Sequence, residues 1–227
     1  MNNFFIVELY EKNRSMINME CALNIYHLLS QTLYLEIPGD VVECGSYRGL
    51  TAVMLQKTLD THHSDKHLHL FDSFEGLPEK TNEDLVDSPD NMRKCDYKDN
   101  RRVGKGWFQS PEEVVLQNFQ DYNVKPPYIH KGWFNETLPL HLPETVSFAH
   151  IDGDFYSSTM DSLKNIYPRM PRGAIAILDD YCDPDSHGRQ SSLPGVKIAC
   201  DEFFADKSEK VEILAAGSAY HAYFKKE

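Results

Sequence analysis

Two short acidic motifs are the residues of this sequence best suited to chemistry. They are His150-Ile-Asp-Gly-Asp154 and Asp179-Asp180, and each follows a short apolar run. In an open sheet of parallel strands, the carboxyl ends of neighbouring strands meet at one edge, where ligands bind. Carboxylates gathered there repel one another unless a cation neutralises them, and an all-oxygen ligand set favours Mg²⁺, Ca²⁺ or Mn²⁺ over zinc. The motifs therefore predict a divalent-cation site, with helix capping by single aspartates as the alternative.

A glycine-containing turn and a separate aspartate predict an adenosine-type ligand beside the acids. The turn, Glu43-Cys-Gly-Ser-Tyr-Arg-Gly49, ends the first apolar run. Its glycines let the backbone approach a ligand, and the following helix offers free N–H groups. Asp72 ends the second run, where a carboxylate can accept hydrogen bonds from ribose hydroxyls. An ordinary strand-to-helix turn and a capping carboxylate are the alternatives, and Trp133 after Gly132 suits either a purine cover or a core position.

These motifs must be held in place by strands that alternate with helical stretches. We predict seven strands, at residues 41–44, 67–71, 128–131, 146–151, 174–178, 211–214 and 219–224. Alternation of strands and helices favours an α/β fold with a doubly wound parallel sheet. The gap before the last strand is too short for a helical crossover, so the final two strands should form an antiparallel hairpin. A seven-stranded sheet with this ending resembles the class I methyltransferase sheet rather than the six-stranded dinucleotide fold.

The length of 227 residues suits a single domain spanning residues 1–227. Residues 1–37 read as an N-terminal helical segment. Residues of about 75–109 are polar and aperiodic, and we interpret them as a lid-like insertion because long irregular stretches in compact domains are often functional.

Composition excludes several classes of partner. The net charge is −12, which disfavours binding to nucleic acids and to anionic membrane surfaces.

We expect no transmembrane helix, because no apolar run approaches the length that a bilayer needs, and no signal peptide at the start. The five cysteines are odd in number and include no CxxC pair, which favours a reduced, cytoplasmic protein.

Several motifs follow one another in the order of one known family. The sequence resembles the macrocin O-methyltransferase family over about residues 37–206. The characterised members of that family methylate sugar hydroxyls in antibiotic biosynthesis, and they use S-adenosylmethionine and Mg²⁺. The motifs that carry the resemblance lie at residues 37–49, 72–78, 131–134, 137–139, 152–163 and 179–181.

The resemblance implies roles for individual residues. Asp152, Asp179 and Asp180 match the metal ligands, and Asp154 matches a carboxylate proposed as the catalytic base, with Asp152 beside it. Glu43, Gly45 and Asp72 match the cofactor site. The neighbouring residues Ser46, Tyr47, Arg48, Ser73, Gly132, Trp133 and Asp152 complete the predicted cofactor set.

The implied reaction is Mg²⁺-dependent methyl transfer from S-adenosylmethionine to a hydroxyl of a sugar, or of another small molecule with vicinal oxygens. The metal would orient two acceptor oxygens and Asp154 would take the proton, with His150 a weaker candidate for that role. The expected partner is thus a small sugar or glycoside acceptor, with a homo-oligomer possible. Two alternatives stay open at this point: a phosphatase of the haloacid dehalogenase type, and a non-catalytic protein that has kept the methyltransferase fold for binding.

Overall fold

A seven-stranded sheet organises the part of the chain that this computed structural model describes, which is residues 4–13, 16–85, 103–188 and 193–227. The strand order is β3-β2-β1-β4-β5-β7-β6. Strand β7 runs antiparallel to both β5 and β6, whereas the other pairings are parallel. The strands are β1 (Asp40–Cys44), β2 (Leu68–Asp72), β3 (Tyr128–Lys131), β4 (Val146–Ile151), β5 (Ile175–Asp179), β6 (Glu212–Leu214) and β7 (His221–Lys225). The predicted doubly wound sheet with a terminal antiparallel pair is confirmed.

Helices cover both faces of the sheet. One face packs against α1 (Phe4–Asn13), α2 (Met19–Tyr34), α3 (Leu50–Thr61) and α4 (Glu112–Asp121). The opposite face packs against α5 (Phe134–His141), α6 (Tyr156–Ile166) and α8 (Pro194–Phe204). A single-turn helix, α7 (Pro184–His187), follows β5, and two 3₁₀ turns lie at Glu83–Leu85 and Tyr167–Arg169.

The central strands bury side chains on both of their faces, which explains why their sequences are almost continuously apolar. All six residues of β4 are buried. Phe148 of this strand belongs to one hydrophobic cluster, whereas Ala149 and Ile151 belong to the other. The chain order reverses between β1 and β4, because β1 lies between β2 and β4. Such a reversal opens a crevice at the carboxyl ends of the strands, where ligands of open α/β sheets bind.

The predicted insertion is described only at its two ends. Leu77 and the 106–107 turn hydrogen-bond to each other through their backbones, with Leu77 N–H donating to the Trp107 carbonyl and Gly106 N–H to the Leu77 carbonyl, both at 2.9 Å. Residues 86–102 of the predicted lid lie outside the described residues. Among the residues that are described, no helix is long and apolar enough to cross a membrane.

Candidate active site

Three carboxylates converge at the carboxyl end of β4 and β5. Oxygen atoms of Asp152, Asp154 and Asp180 all lie within 4.8 Å of one another. The parallel pairing of β4 with β5, in which Ile151 lies opposite Leu178, brings the two following loops side by side. Asp154 and Asp180 both adopt left-handed backbone conformations, with φ values of 59° and 60°. Left-handed backbone is uncommon outside glycine and concentrates at functional sites, so the loops are bent where the acids converge.

The electrostatics of this acid cluster favour a bound cation. Burial raises the pKa of Asp152, and the negative charges of Asp179 and Asp180 raise it further. Burial also raises the pKa of Asp154 and of Asp180, with added repulsion from neighbouring aspartates. A divalent cation would relieve this repulsion, and three carboxylates are the oxygen donors that Mg²⁺, Ca²⁺ and Mn²⁺ accept. The residues present therefore fit the predicted metal.

Asp179 belongs to a second cluster, together with two buried histidines. Its two carboxylate oxygens lie 3.7 Å from His150 Nε2 and 3.8 Å from His221 Nε2. The other ring nitrogen of His150, Nδ1, lies 3.1 Å from an oxygen of Glu43. His221 Nδ1 lies 3.2 Å from the Asn24 amide nitrogen, whose orientation is set by its donation to the Ala215 carbonyl. A buried polar chain thus runs beneath the acid cluster from β1 to α2.

The two histidines keep Asp179 ionised within this chain. Burial opposes its ionisation, but His221 and His150 outweigh that cost and lower the pKa of Asp179. Burial likewise opposes the charge on His150, yet Asp179 and Glu43 raise the pKa of His150 to about 10. Burial lowers the pKa of His221 to about 4 despite the nearby Asp179. His150 is therefore the cation that balances the carboxylates on either side of it.

The structure thus brings two of the three predicted metal ligands together. Asp152 and Asp180 share the acid cluster, with the predicted base Asp154 as its third member. Asp179 faces the two histidines, so its role as a metal ligand stays a prediction. Sequence reasoning missed His221, which pairs with Asp179 across β5 and β7. The only signal available was the predicted hairpin, and its register was needed to place the histidine.

The predicted cofactor turn lies directly against the acid cluster. Gly45 has φ of +88°, and a Cβ atom at this position would lie 1.9 Å from the Asp152 carbonyl oxygen. Asp72 Oδ2 accepts hydrogen bonds from Ser46 N–H at 2.7 Å and from the Ser46 hydroxyl at 2.9 Å. Asp72 Oδ1 accepts from Phe74 N–H at 2.7 Å. Gly45, Ser46, Asp72 and Asp152 are therefore neighbours, and Asp72 holds the turn in shape, whereas their binding of a cofactor stays a prediction.

The remaining predicted cofactor residues differ in how close they come to this turn. Gly132 N–H donates to the Asp72 carbonyl at 2.9 Å, and Trp133, the N-cap of α5, follows at the same edge. The Tyr47 ring contacts both the Arg48 guanidinium and the ring of Phe108, whose centroid lies 5.8 Å away. For Tyr47, Arg48, Gly132 and Trp133, contact with a cofactor stays a prediction.

Two predicted cofactor residues are buried. The Ser73 hydroxyl donates to the Gly76 carbonyl. Glu43 has no exposed surface and pairs with His150. Glu43 therefore lies beneath the turn, where its carboxylate pairs with the His150 ring.

Comparison with solved structures identifies the fold as that of the class I O-methyltransferases. The structure of the O-methyltransferase NovP superposes with a TM-score of 0.73 at 27% sequence identity, covering 93% of this chain and 81% of that chain. An O-methyltransferase from Bacillus cereus in complex with SAH gives a TM-score of 0.60 at 11% identity, over 100% of this chain and 92% of that one. The second likeness concerns the fold alone.

The chain belongs to the macrocin-O-methyltransferase family, whose model matches residues 11–206. It is 32% identical over 174 residues to mycinamicin III 3''-O-methyltransferase of Micromonospora griseorubida, covering 75% of this chain and 66% of that enzyme. It is 31% identical over 198 residues to demethyldecarbamoylnovobiocin O-methyltransferase of Streptomyces niveus, covering 84% of this chain and 68% of that enzyme. The chain thus spans about two thirds of the length of these curated relatives. The family predicted from the motifs is confirmed.

Proposed function

We propose that this chain transfers a methyl group from S-adenosylmethionine to a hydroxyl of a sugar, or of another small molecule with vicinal oxygens, and that it requires Mg²⁺. One observation carries the proposal. Asp152 contacts the Gly45 turn through its backbone and contributes its carboxylate to the acid cluster. A donor held at the turn and an acceptor held at the acids would therefore be neighbours, which in-line methyl transfer needs.

The chain's own residues would divide the work. Asp152 and Asp180 would hold the cation, with Asp179 the third ligand that the family resemblance implies. When bound, Mg²⁺ supplies positive charge that orients acceptor oxygens and favours loss of the hydroxyl proton. Asp154 would accept that proton on its carboxylate, which lies in the same cluster as the acids that would hold the cation. Asp72 and Gly45 would keep the donor turn in shape and leave room for the ligand.

The acceptor class is inferred from the relatives. Two of them are named for antibiotics, mycinamicin and demethyldecarbamoylnovobiocin, and a third is named for a rhamnosyl tetracenomycin, in which the sugar is explicit. A glycoside with two adjacent oxygens offers the bidentate contact that a cation held by carboxylates can accept. We therefore propose a sugar of a secondary metabolite or glycan as the acceptor. No specific observation favours the phosphatase alternative or the non-catalytic alternative.

The proposal is tested by incubating the purified chain with S-adenosylmethionine and a panel of glycosides that carry vicinal hydroxyls. Chromatography would follow S-adenosylhomocysteine, and mass spectrometry the methylated product. We expect product with at least one glycoside, loss of turnover in EDTA, and recovery when excess Mg²⁺ is added. Undiminished turnover in EDTA would reject the metal requirement. Absence of turnover, combined with no calorimetric binding of S-adenosylhomocysteine, would reject methyl transfer itself.

A further inference from the structure

Helix α6 begins directly after the loop that carries Asp152 and Asp154, and its first turn is capped from a distant part of the chain. The residue at its N-cap is Phe155, whose side chain cannot accept a hydrogen bond from the helix. The first N–H groups of a helix need acceptors from elsewhere. Asp84, in the 3₁₀ turn Glu83–Leu85, supplies one, because its Oδ1 atom accepts from Tyr156 N–H at 2.8 Å.

The environment of Asp84 is built around this contact. The residue is 5% exposed, and its second oxygen, Oδ2, accepts from the N–H of Thr81 at 2.9 Å and from its hydroxyl at 3.1 Å. Gly195 in α8 leaves the space that the carboxylate occupies. A Cβ atom there would lie 1.9 Å from Asp84 Oδ1 and 2.8 Å from the Tyr156 nitrogen. The carboxylate is therefore enclosed between the turn that carries it, α6 and α8.

The capped helix start adjoins the strained part of the acid loop. Asp154 has φ of 59°, a conformation that persists only where surrounding contacts enforce it. Phe155 N–H donates to the Gly153 carbonyl at 2.6 Å, which closes a tight turn around Asp154. The Lys80 ammonium lies 5.4 Å from the centroid of the Phe155 ring. Lys80 thus contacts Phe155, and Asp84 contacts Tyr156; these are the two residues that follow Asp154.

We propose that Asp84 is a positioning residue for methyl transfer. By capping α6 at Tyr156, it holds the Asp152–Asp154 turn in the shape that presents both carboxylates to the acceptor side of the site. The inference rests on the proposed function for its catalytic consequence, although the positioning itself can be measured without turnover. Asp84 acts through Tyr156 and touches no reacting atom.

The first test compares Asp84→Ala with Asp84→Asn, and uses Asn82→Ala as the control on the exposed side of the same turn. We expect Asp84→Ala to lower kcat about 10- to 100-fold and to raise the Mg²⁺ concentration needed for half-maximal rate about 10-fold, as for residues that orient metal ligands. The KM for S-adenosylmethionine should change by less than about 2-fold, because the Gly45 turn is held by Asp72. Asp84→Asn should have a rate between those of Asp84→Ala and the parent, since its amide oxygen can accept from Tyr156 N–H but its amide nitrogen cannot accept from Thr81 N–H.

The results that overturn the proposal are equally specific. One is an unchanged kcat and an unchanged Mg²⁺ requirement in folded Asp84→Ala. Another is a parallel loss of S-adenosylhomocysteine affinity and thermal stability, which would give Asp84 only a general structural role.

A second perturbation reaches the same contact from α8. Gly195→Ala places a methyl group where the Asp84 carboxylate lies, so it should reproduce the loss of kcat. In the Asp84→Ala/Gly195→Ala double variant much of that overlap is gone, and the loss should be smaller than the product of the two single losses. Losses that simply multiply would contradict the proposal.

A readout without metal, donor or acceptor separates this proposal from the proposed function. Hydrogen exchange at the amides of residues 153–156 should be at least about 10-fold faster in Asp84→Ala than in the parent chain, and unchanged in Asn82→Ala. Equal exchange in all three proteins would overturn the positioning role. If exchange is faster in Asp84→Ala but the parent chain methylates no acceptor, the result would count against the proposed function alone.

Discussion

At the scale of residues, the aspartates of the two motifs divide between two clusters. Asp179 is the last residue of β5 and Asp180 follows it, so their side chains leave the strand in different directions. Asp180 joins Asp152 and Asp154, whereas Asp179 meets His150 and His221. The sequence motifs predicted that acids would converge at this edge. The motifs could not show that Asp179 and Asp180 would join different clusters, because this depends on the loop conformation at Asp180 and on the register of β7.

Asp154→Asn tests whether Asp154 is the base. The amide keeps the size of the side chain but cannot take a proton from the acceptor hydroxyl, so we expect kcat to fall about 10²- to 10⁴-fold. Affinity for S-adenosylhomocysteine, measured by calorimetry, should stay within about 3-fold, because donor binding needs no proton acceptor. Asp185→Asn, an exposed change in the single-turn helix α7, is the control. A kcat within about 3-fold of the parent value in Asp154→Asn would contradict the assignment.

At the scale of elements, the strands were predictable, whereas the short helices α5 and α7 were not. Apolar runs bounded by glycine, proline and aspartate indicated the central strands β1, β2, β4 and β5 most clearly, because buried parallel strands are apolar on both faces. Helix α5 was missed because Pro139 lies inside it, and proline in a sequence normally argues against a helix interior. The helix is only eight residues long, and its packing through the buried Leu138 compensates for the lost backbone hydrogen bond.

Gly45→Ala tests how closely the turn after β1 approaches the acid loop. The substituted side chain would overlap the Asp152 carbonyl oxygen, so the two loops must separate. We expect loss of both S-adenosylhomocysteine binding and Mg²⁺ binding, measured by calorimetry. Gly106→Ala is the matched control, because Gly106 also has positive φ, of +78°, but a Cβ atom there meets nothing within 4 Å. The control should cost about 1 kcal/mol of backbone strain and keep both ligands. Retained binding of both ligands in Gly45→Ala would contradict this close approach.

At the scale of the whole molecule, the residue that follows β7 contacts the segments that follow α6 and α8. Glu209 is buried and accepts from the Lys226 ammonium at 2.9 Å and from the Tyr167 hydroxyl at 2.8 Å. The Lys226 ammonium also lies 3.6 Å from the centroid of the Tyr167 ring. Since Lys226 directly follows β7, these contacts tie the end of the antiparallel hairpin to the 3₁₀ turn after α6 and to the segment after α8. The hairpin in turn carries His221 to Asp179, so the fold's last strand supports the site.

Glu209→Gln should weaken this attachment in a pH-dependent way. Burial opposes ionisation of Glu209, but Lys226 and Tyr167 outweigh it and lower its pKa from 4.5 to about 2. Because the folded pKa lies below the unfolded one, the stabilisation is fully present above about pH 4.5 and is lost as the pH falls towards 2. We expect the variant to lose about 1–3 kcal/mol of unfolding free energy at pH 7 in urea titrations, and less at pH 3. Glu212→Gln, an exposed change on β6, should cost little at either pH. An equal loss of unfolding free energy for Glu209→Gln at pH 7 and at pH 3 would contradict the role given to the ionised carboxylate of Glu209.

The central claim is that carboxylates from the ends of β4 and β5 hold one divalent cation beside the donor turn. The most direct measurement is calorimetric titration of Mg²⁺ into the metal-free chain in the presence of S-adenosylhomocysteine, with the parent protein and with Asp180→Asn. We predict one Mg²⁺ per chain in the parent and at least about 10-fold weaker binding in Asp180→Asn, with S-adenosylhomocysteine bound equally by both. Mg²⁺ binding of equal strength in the two proteins, or none in the parent, would contradict the claim.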